Sequence, residues 1–128
     1  MPFLKIKHMS NQIYYLKTCD TCKKILSQIK PLHLFELIDI KETPITYKQL
    51  ESLYKKTLSY EKLFSKRAKL YKERDLKNEE LTENDFKNLI LEHYTFLSRP
   101  VIVFNEVVYI GNSSKTVSLL LDHLANHE

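Results

Sequence analysis

The stretch Thr18-Cys19-Asp20-Thr21-Cys22-Lys23-Lys24 decides the fold, and it contains both cysteines of the chain. The run Ile13-Tyr14-Tyr15-Leu16 before it is typical of a strand, and Ile25, Leu26 and Ile29 after it recur at helical spacing. The cysteines therefore lie where a strand passes into a helix. Unpaired amides and the helix dipole at such a position favour thiolate over thiol. The pattern predicts a redox-active or nucleophilic thiol; the alternative is two buried small residues.

Composition limits the classes to which the chain can belong. Its 128 residues are enough for one domain, and 43% hydrophobic and 28% charged residues are typical of globular proteins. A single glycine excludes the glycine-rich phosphate loops, and two cysteines are too few for a disulfide framework. Residues 1–10 lack the apolar run of a signal peptide, and no apolar stretch is long enough to span a membrane. We therefore expect a cytoplasmic protein without membrane contact, in which the thiols are kept reduced.

The net charge of +4 is unevenly distributed along the chain. Residues 55–77 carry nine Lys or Arg and three acidic residues. A solvated helical face is the simpler interpretation. The alternative is a surface for an anionic ligand or a protein partner. The interleaved aromatic residues also fit a buried helical stripe, so we expect no direct contact with nucleic acid.

Alternation of strand and helix patterns predicts an α/β protein. A strand over residues 13–16, a helix from the cysteine turn to about residue 30 and a strand over residues 32–40 make a parallel βαβ unit with a right-handed crossover. Residues up to Gln12 are expected to be an irregular lead-in. A CxxC pair beside a βαβ unit is typical of thioredoxin-like proteins. The expected fold is a thioredoxin-like mixed sheet flanked by helices, with an inserted helical lobe.

The rest of the chain contains clear signals for helix starts and for one hairpin. Thr46 and Gln49 form a capping box, and Thr82 precedes another helical pattern. Further helices are predicted over residues 60–66 and 68–74. Strands over 101–104 and 107–110 flank a two-residue turn, and Ser113 or Ser114 caps a last helix. We predict a single domain, 1–128, with its core over about 13–40 and 99–126 and a helical insertion over about 45–95.

Four separate stretches together resemble the ArsC/Spx family. They are Cys19-x-x-Cys22, Leu63-Phe64-Ser65-Lys66-Arg67-Ala68-Lys69-Leu70-Tyr71-Lys72, Ser98-Arg99-Pro100-Val101-Ile102-Val103, and Ile110-Gly111. The family comprises glutaredoxin-coupled arsenate reductases, Spx-type transcription regulators and related thiol reductases. The resemblance covers nearly the whole chain, and the Arg-Pro-hydrophobic strand makes it far more specific than the CxxC pair alone.

The resemblance implies a set of site residues. Cys19 would be the nucleophile, Arg99 an anion-binding arginine, and Pro100 a cis proline facing the thiol. Cys22 would resolve the mixed disulfide on Cys19. Substrate-binding positions would be filled by Thr21, Lys23, Arg67 and Pro100.

The same resemblance leaves the activity open between two classes. Arsenate reductases of the family hold the oxyanion with three arginines, and only Arg99 matches, because Ser65 and Asn112 stand at the other positions. We therefore expect a thiol-disulfide oxidoreductase of the arsenate reductase family. It would bind no cofactor, use glutathione or glutaredoxin as electron donor, act on a small anionic or disulfide substrate, and be a monomer. The alternative is an Spx-like redox-sensing regulator whose partner is RNA polymerase.

A structural zinc site is a third and different hypothesis. Cys19 and Cys22 have the pair spacing of zinc ligands, and so do His123 and His127. The two pairs are far apart in the chain, unlike the compact spacing of structural zinc sites. We therefore expect no metal ligands.

Overall fold

The computed structural model describes residues 11–126, and the chain divides into two compact units. The thiol unit contains residues 11–39 and 99–126, and the helical unit is Ile40–Ser98. Residues 1–10 and 127–128 lie outside the described part of the chain, and so do the expectation about a signal peptide and the candidate ligand His127. The organisation as a single domain stays a prediction.

The thiol unit contains both strands and helices, and the elements of the helical unit, which lies between its two parts in the chain, are helices and 3-10 turns. In chain order they are β1 Gln12–Tyr15, α1 Asp20–Gln28, a 3-10 turn Leu32–Leu34, β2 Glu36–Asp39, α2 Tyr47–Thr57, α3 Tyr60–Leu63, α4 Lys69–Glu73, a 3-10 turn Leu76–Asn78, α5 Glu83–Glu92, a 3-10 turn Tyr94–Phe96, β3 Val101–Phe104, β4 Val107–Ile110 and α6 Ser114–Asn126.

The four strands form one mixed sheet in the order β2-β1-β3-β4. Strand β1 is parallel to β2, with Ile13 opposite Leu37, and antiparallel to β3, with Ile13 opposite Ile102. Strand β4 is antiparallel to β3. This sheet, flanked by helices, confirms the predicted thioredoxin-like fold. It also puts the strand that leads into the cysteine turn beside the strand that follows Arg99.

One face of the sheet is covered by the first and last helices. Ile13 and Ile102 are almost fully buried on this face. Helices α1 and α6 contribute apolar side chains to the same cluster, which consists of Ile13, Ile25, Ile29, Phe35, Ile102, Phe104, Leu120 and Leu124. Because α1 packs through Ile25, and the chain just past its C-terminus through Ile29, the N-terminal turn of α1 is held at the end of β1, where the cysteines lie.

The predicted hairpin is confirmed. The backbone is left-handed in the turn between its strands and at Gly111, the residue that follows β4. Asn105 and Glu106 have φ of 48° and 69°, which suits the right-handed twist of a two-residue hairpin. Gly111 has φ of +87°, and no atom lies within 4 Å of the position that a Cβ would take. Backbone conformation, rather than lack of space, therefore favours glycine there. The Gly111 N–H donates to the Pro100 carbonyl at 2.9 Å, which ties the end of β4 to the start of β3.

Several predicted boundaries in the thiol unit are wrong. The lead-in was expected to reach Gln12, but Asn11 is buried and its side-chain oxygen accepts from the Asn105 N–H at 3.1 Å. Strand β2 is much shorter than 32–40, because Pro31 begins a 3-10 turn in which the Leu34 N–H bonds to the Pro31 carbonyl at 3.0 Å. Helix α1 ends at Gln28, two residues before the expected boundary.

The helical unit begins its two longest helices with capping boxes. Thr46 accepts from the Gln49 N–H and the Gln49 side chain accepts from the Thr46 N–H, as predicted. Thr82 and Asp85 make the same reciprocal pair at the start of α5. Each box satisfies two amides that the helix itself leaves unpaired. These signals are local, which is why both helix starts could be located from the sequence.

The helices of the helical unit pack around a cluster of aromatic rings centred on Phe64. Its ring stacks on Phe96 with centroids 5.2 Å apart, and it also contacts Phe86 and Tyr71. The Ser65 N–H donates to the Phe96 carbonyl at 2.8 Å. This bond requires extended backbone at Phe64, so the helix predicted over residues 60–66 ends at Leu63 and that prediction is wrong. The looser helix predicted over 68–74 is confirmed as Lys69–Glu73.

Candidate active site

Cys19 occupies the junction between β1 and α1. Its N–H donates to the Leu16 carbonyl at 3.0 Å and closes the turn, and its carbonyl accepts the first helical bond from the Lys23 N–H at 3.1 Å. Cys19 is therefore the N-cap residue, with extended backbone at φ −92° and ψ 112°. Its side chain is partly exposed. The predicted position of the cysteines, between a strand and a helix, is thus confirmed.

The pKa of the Cys19 thiol is lowered by its surroundings. Burial acts in the opposite direction and is the largest single influence, but the hydrogen-bond donors around the sulfur and the positive charge of Arg99 together outweigh it. These donors are the Cys22 N–H, the Cys22 thiol and the Thr21 N–H. The Cys19 sulfur does not accept a capping hydrogen bond from the backbone amides of α1 in this structure. The nearby N–H and S–H groups therefore favour the thiolate because they lie close enough to stabilise its negative charge.

Cys22 has the opposite character, although it lies only one helical turn away. Its side chain is completely buried, and burial raises the pKa of its thiol to about 11. The hydrogen bond that its thiol gives to Cys19 adds to this rise, because donation requires the protonated form. Both cysteines are free thiols. The pair thus combines a thiol that ionises readily and is accessible with one that keeps its proton and is shielded.

Arg99 and Pro100 directly precede β3, the strand that pairs with β1. The Arg99-Pro100 peptide bond is cis, as the resemblance implied, and Pro100 is buried. Arg99 is partly buried, and its charge lowers the pKa of both cysteines, which requires it to lie near them. The pairing of β1 with β3 accounts for this proximity. Catalytic roles for Cys19, Cys22 and Arg99 stay predictions.

The other residues predicted to bind substrate have different surroundings. Thr21 is exposed, and its backbone N–H is one of the donors near the Cys19 sulfur. Lys23 is exposed, with its ammonium 4.0 Å from the Asp20 carboxylate. Arg67 belongs to the helical unit, where its side chain is exposed. Substrate binding by these three residues stays a prediction.

Asn112 has a contact that the sequence did not reveal. Its side-chain amide donates to the Arg99 carbonyl at 3.4 Å. Asn112 therefore supports the backbone of the Arg99-Pro100 loop rather than supplying a charge to an oxyanion. No local signal indicates this bond, because the two residues meet only when β3 and β4 are paired.

The histidine in the zinc hypothesis has another partner. The His123 Nδ1 lies 2.7 Å from the Tyr109 hydroxyl, and its ring packs against Phe104. Residues 11–126 contain no group of three or more His, Cys, Asp or Glu side chains arranged to hold a metal ion. Over the same residues, no helix is both long enough and apolar enough to cross a membrane.

Comparison with known proteins decides the family. The model of the ArsC family matches residues 14–119, which include the cysteine turn, the whole helical unit and the Arg99-Pro100 loop. The chain belongs to the ArsC family. This confirms the resemblance read from the four sequence stretches.

Relatives within the ArsC family have been given more than one function. The global transcriptional regulator Spx 2 of Bacillus cereus is 25% identical over 112 residues, 85% of either chain. The regulatory protein MgsR of Bacillus subtilis is 28% identical over 101 residues, 77% of this chain and 79% of that protein. The structure of an arsenate reductase from Vibrio cholerae superposes with a TM-score of 0.70 at 21% identity, covering 89% of this chain and 97% of that chain. Family membership therefore leaves a thiol oxidoreductase and an Spx-like regulator both open.

Proposed function

We propose that the protein is a thiol-disulfide oxidoreductase in which Cys19 is the nucleophile and Cys22 the resolving thiol. The observation that carries this proposal is the position of the two thiols: Cys19 is the partly exposed N-cap residue of α1, and Cys22, one helical turn further, is completely buried. The pKa values shift in the same sense, downward for Cys19 and upward for Cys22. Attack on a disulfide needs an accessible thiolate. Resolution needs a second thiol that stays protonated until the first has reacted.

The reaction balances with these two thiols alone on the protein side. The Cys19 thiolate attacks one sulfur of a substrate disulfide, the S–S bond breaks, and the departing thiolate takes a proton. Cys22 then loses its proton and attacks the Cys19 sulfur, which releases the second substrate thiol. The substrate gains two electrons and two protons, and the protein keeps a Cys19–Cys22 disulfide. We propose glutathione or glutaredoxin as the thiol donor that reduces this disulfide again.

Arg99 is proposed to hold the anionic part of the substrate. A guanidinium presents a planar fork of donors that fits a carboxylate or an oxyanion, which lysine does not reproduce. Thr21, Lys23 and Arg67 are proposed as further contacts to this group, and Pro100 as the residue that brings the loop backbone up to the thiol. Arsenate would bind weakly, because Ser65 and Asn112 supply no further positive charge. A reducing cytoplasm suits thiols that must be reduced between turnovers, and we propose that location.

Reduction of hydroxyethyl disulfide and of arsenate, each with glutathione and glutaredoxin, tests the proposal. We expect turnover of the disulfide and little of arsenate. The Cys22→Ser variant should accumulate a mixed disulfide on Cys19, detectable as an added mass in the intact protein. Absence of disulfide turnover, or free Cys19 in the variant after exposure to substrate, would contradict the roles assigned to the two thiols.

A redox-sensing regulator is the second candidate, because both curated relatives above are regulators by name. In that case the Cys19–Cys22 disulfide would be a signal rather than a step in turnover. Binding to RNA polymerase, measured with the reduced and the oxidised protein, separates the two functions. Redox-dependent binding without disulfide turnover would favour the regulator, and turnover without binding would favour the enzyme.

A further inference from the structure

A groove of about 540 Å³ lies beside α1 and α6 in the thiol unit, and apart from Thr21 its lining residues have no role in the reaction proposed above. Its volume is within the range of about 300–1,000 Å³ that is typical of ligand pockets. Its apolar lining residues, which we call its floor, are Ile25, Val117 and Leu121. Its polar lining residues, which we call its rim, are Thr21, Lys24, Gln28, Asn112, Ser114, Ser118 and Asp122.

Two residues that line the groove also make contacts in the candidate active site. Thr21 lines the groove, and its backbone N–H is one of the donors near the Cys19 sulfur. Asn112 also lines the groove, and its side chain donates to the Arg99 carbonyl. A molecule whose sulfur reacts with Cys19 therefore has its neighbouring atoms close to the mouth of this groove.

The lining indicates which neighbouring group the groove would accept. Among residues 11–126, the charged side chains that line it are Lys24 and Asp122, whose opposite charges leave this lining without a net charge to attract an anion. Its floor offers apolar surface and no charged partner. Burial of an apolar side chain on such a floor is favourable, whereas a charged group placed there would lose its hydration.

We propose that this groove binds an apolar side chain next to the reacting cysteine of a peptide or protein disulfide. The inference rests on the proposed function, because it concerns the substrate of the same thiol. It names a substrate class, namely disulfides whose cysteine is flanked by an apolar residue. Arg99 and the groove then have separate tasks, since the arginine contacts an anionic group and the groove an apolar one.

The test uses the full chain, reduced beforehand, and three disulfides. Two are homodimers of short peptides, one with leucine and one with serine on both sides of its cysteine, and the third is hydroxyethyl disulfide. We expect the leucine peptide to react faster than the serine peptide by about tenfold or more, as is usual for an apolar group filling a pocket. Ser118→Trp would fill the groove from its rim and should remove this preference. Leu119→Trp is the matched control, because Leu119 is exposed on the same helix and does not line the groove.

The outcomes separate the groove from the reaction itself. Equal rates for the two peptides, with hydroxyethyl disulfide still reduced, would overturn the groove proposal and leave the oxidoreductase standing. Reaction with none of the three disulfides would overturn both. Loss of the preference in Leu119→Trp as well as in Ser118→Trp would show that changes to α6 in general, rather than filling of the groove, remove it, and this also overturns the proposal.

Discussion

The helical unit and the thiol unit differ in what their cationic side chains contact. In the helical unit, Arg74 lies 2.6 Å from the Glu92 carboxylate and Lys66 lies 2.6 Å from Glu61, and all four side chains are substantially exposed. In the thiol unit, the charge of Arg99 acts on two thiols: it contributes to the lowered pKa of Cys19 and offsets a small part of the rise that burial causes at Cys22. Exposed ion pairs contribute little because water screens them, whereas a charge beside a thiol changes its protonation.

This difference shows that the density of charge is a poor guide to where the chemistry lies. The helical unit contains the stretch 55–77 with its nine basic residues. Four of them have carboxylates within 4.0 Å, in the pairs Lys55–Glu51, Lys66–Glu61, Lys69–Glu73 and Arg74–Glu92. For these four side chains, the pairs favour a solvated helical face over a surface for an anionic ligand.

The largest expected effect is a difference in reactivity between the two thiols. A thiol with a pKa of about 11 is ionised in only about one molecule in 10⁴ at pH 7, and Cys22 is also completely buried. Iodoacetamide should therefore alkylate Cys19 at least about 100-fold faster than Cys22 at neutral pH. Mass spectrometry of peptides from a time course measures both rates. As the pH is raised, the alkylation rate of Cys19 should reach its plateau at a lower pH than the rate of a free thiol does. Equal rates at both cysteines would remove the basis of the proposed roles.

Substitution of Arg99 should have the next largest effect. Arg99→Lys keeps the charge but loses the planar fork, so binding of an anionic disulfide such as oxidised glutathione should weaken about tenfold. Arg99→Gln also removes the charge, and it should shift the alkylation profile of Cys19 to higher pH. Fluorescence titration and alkylation at a series of pH values measure the two effects. An unchanged profile in Arg99→Gln would mean that helix amides alone lower the pKa of Cys19.

A smaller effect is expected from a capping residue of the helical unit. Thr82→Ala removes one half of a capping box and should lower the free energy of unfolding by about 1 kcal/mol. Hydrogen bonds from the Thr82 backbone and side chain lower the pKa of Asp85 in this box. The ionised Asp85 carboxylate therefore stabilises the folded protein at neutral pH. This contribution is lost as the pH falls through the lowered pKa that Asp85 has in the folded protein. Urea unfolding at neutral and acidic pH measures both effects, and Cys19 alkylation should not change.

The smallest effect is expected from an exposed ion pair. Arg74→Gln breaks the partly exposed contact with Glu92 and removes a guanidinium that lies 5.6 Å from the centre of the Phe96 ring. The unfolding midpoint should therefore fall slightly, and the Cys19 alkylation profile should not move. It is the matched control for Arg99→Gln, because both variants remove one arginine charge. A shift of the Cys19 alkylation profile in Arg74→Gln would contradict the conclusion that Arg99 acts on the thiols and Arg74 does not.

The features that could be predicted from sequence are those encoded by neighbouring residues. The capping box at Thr46, the helix start at Thr82, the Asn105-Glu106 turn and the cap at Ser113 all depend on partners only a few residues away. The start of α3 at Tyr60 was predicted, but the distant contact that satisfies its first two amides was not. The Glu83 carboxylate accepts hydrogen bonds from the Tyr60 N–H at 2.6 Å and the Glu61 N–H at 3.1 Å. No local pattern contains this contact, because the partners are far apart in the chain.

The candidate site also combines features that neighbouring residues encode with features that depend on residues far apart in the chain. The junction at Cys19 and the burial of Cys22 follow from a strand, a turn and an amphipathic helix in one stretch. The proximity of Arg99 could be inferred only from a resemblance, because it depends on the pairing of β1 with β3. The groove beside α1 and α6 was not predicted at all, since its floor combines residues from both ends of the chain.

The pairing of β1 with β3 also has a consequence for a chain during synthesis. Gln12 lies opposite Val103, so this pairing closes a loop that contains the whole helical unit. Closing a loop costs entropy that grows with the logarithm of its length, and it cannot begin before both strands have left the ribosome. A nascent chain therefore lacks the influence of Arg99 on its thiols until translation has passed β3. The cysteines are made early but reach their final properties late, because Cys19 then gains the charge of Arg99 and Cys22 its full burial.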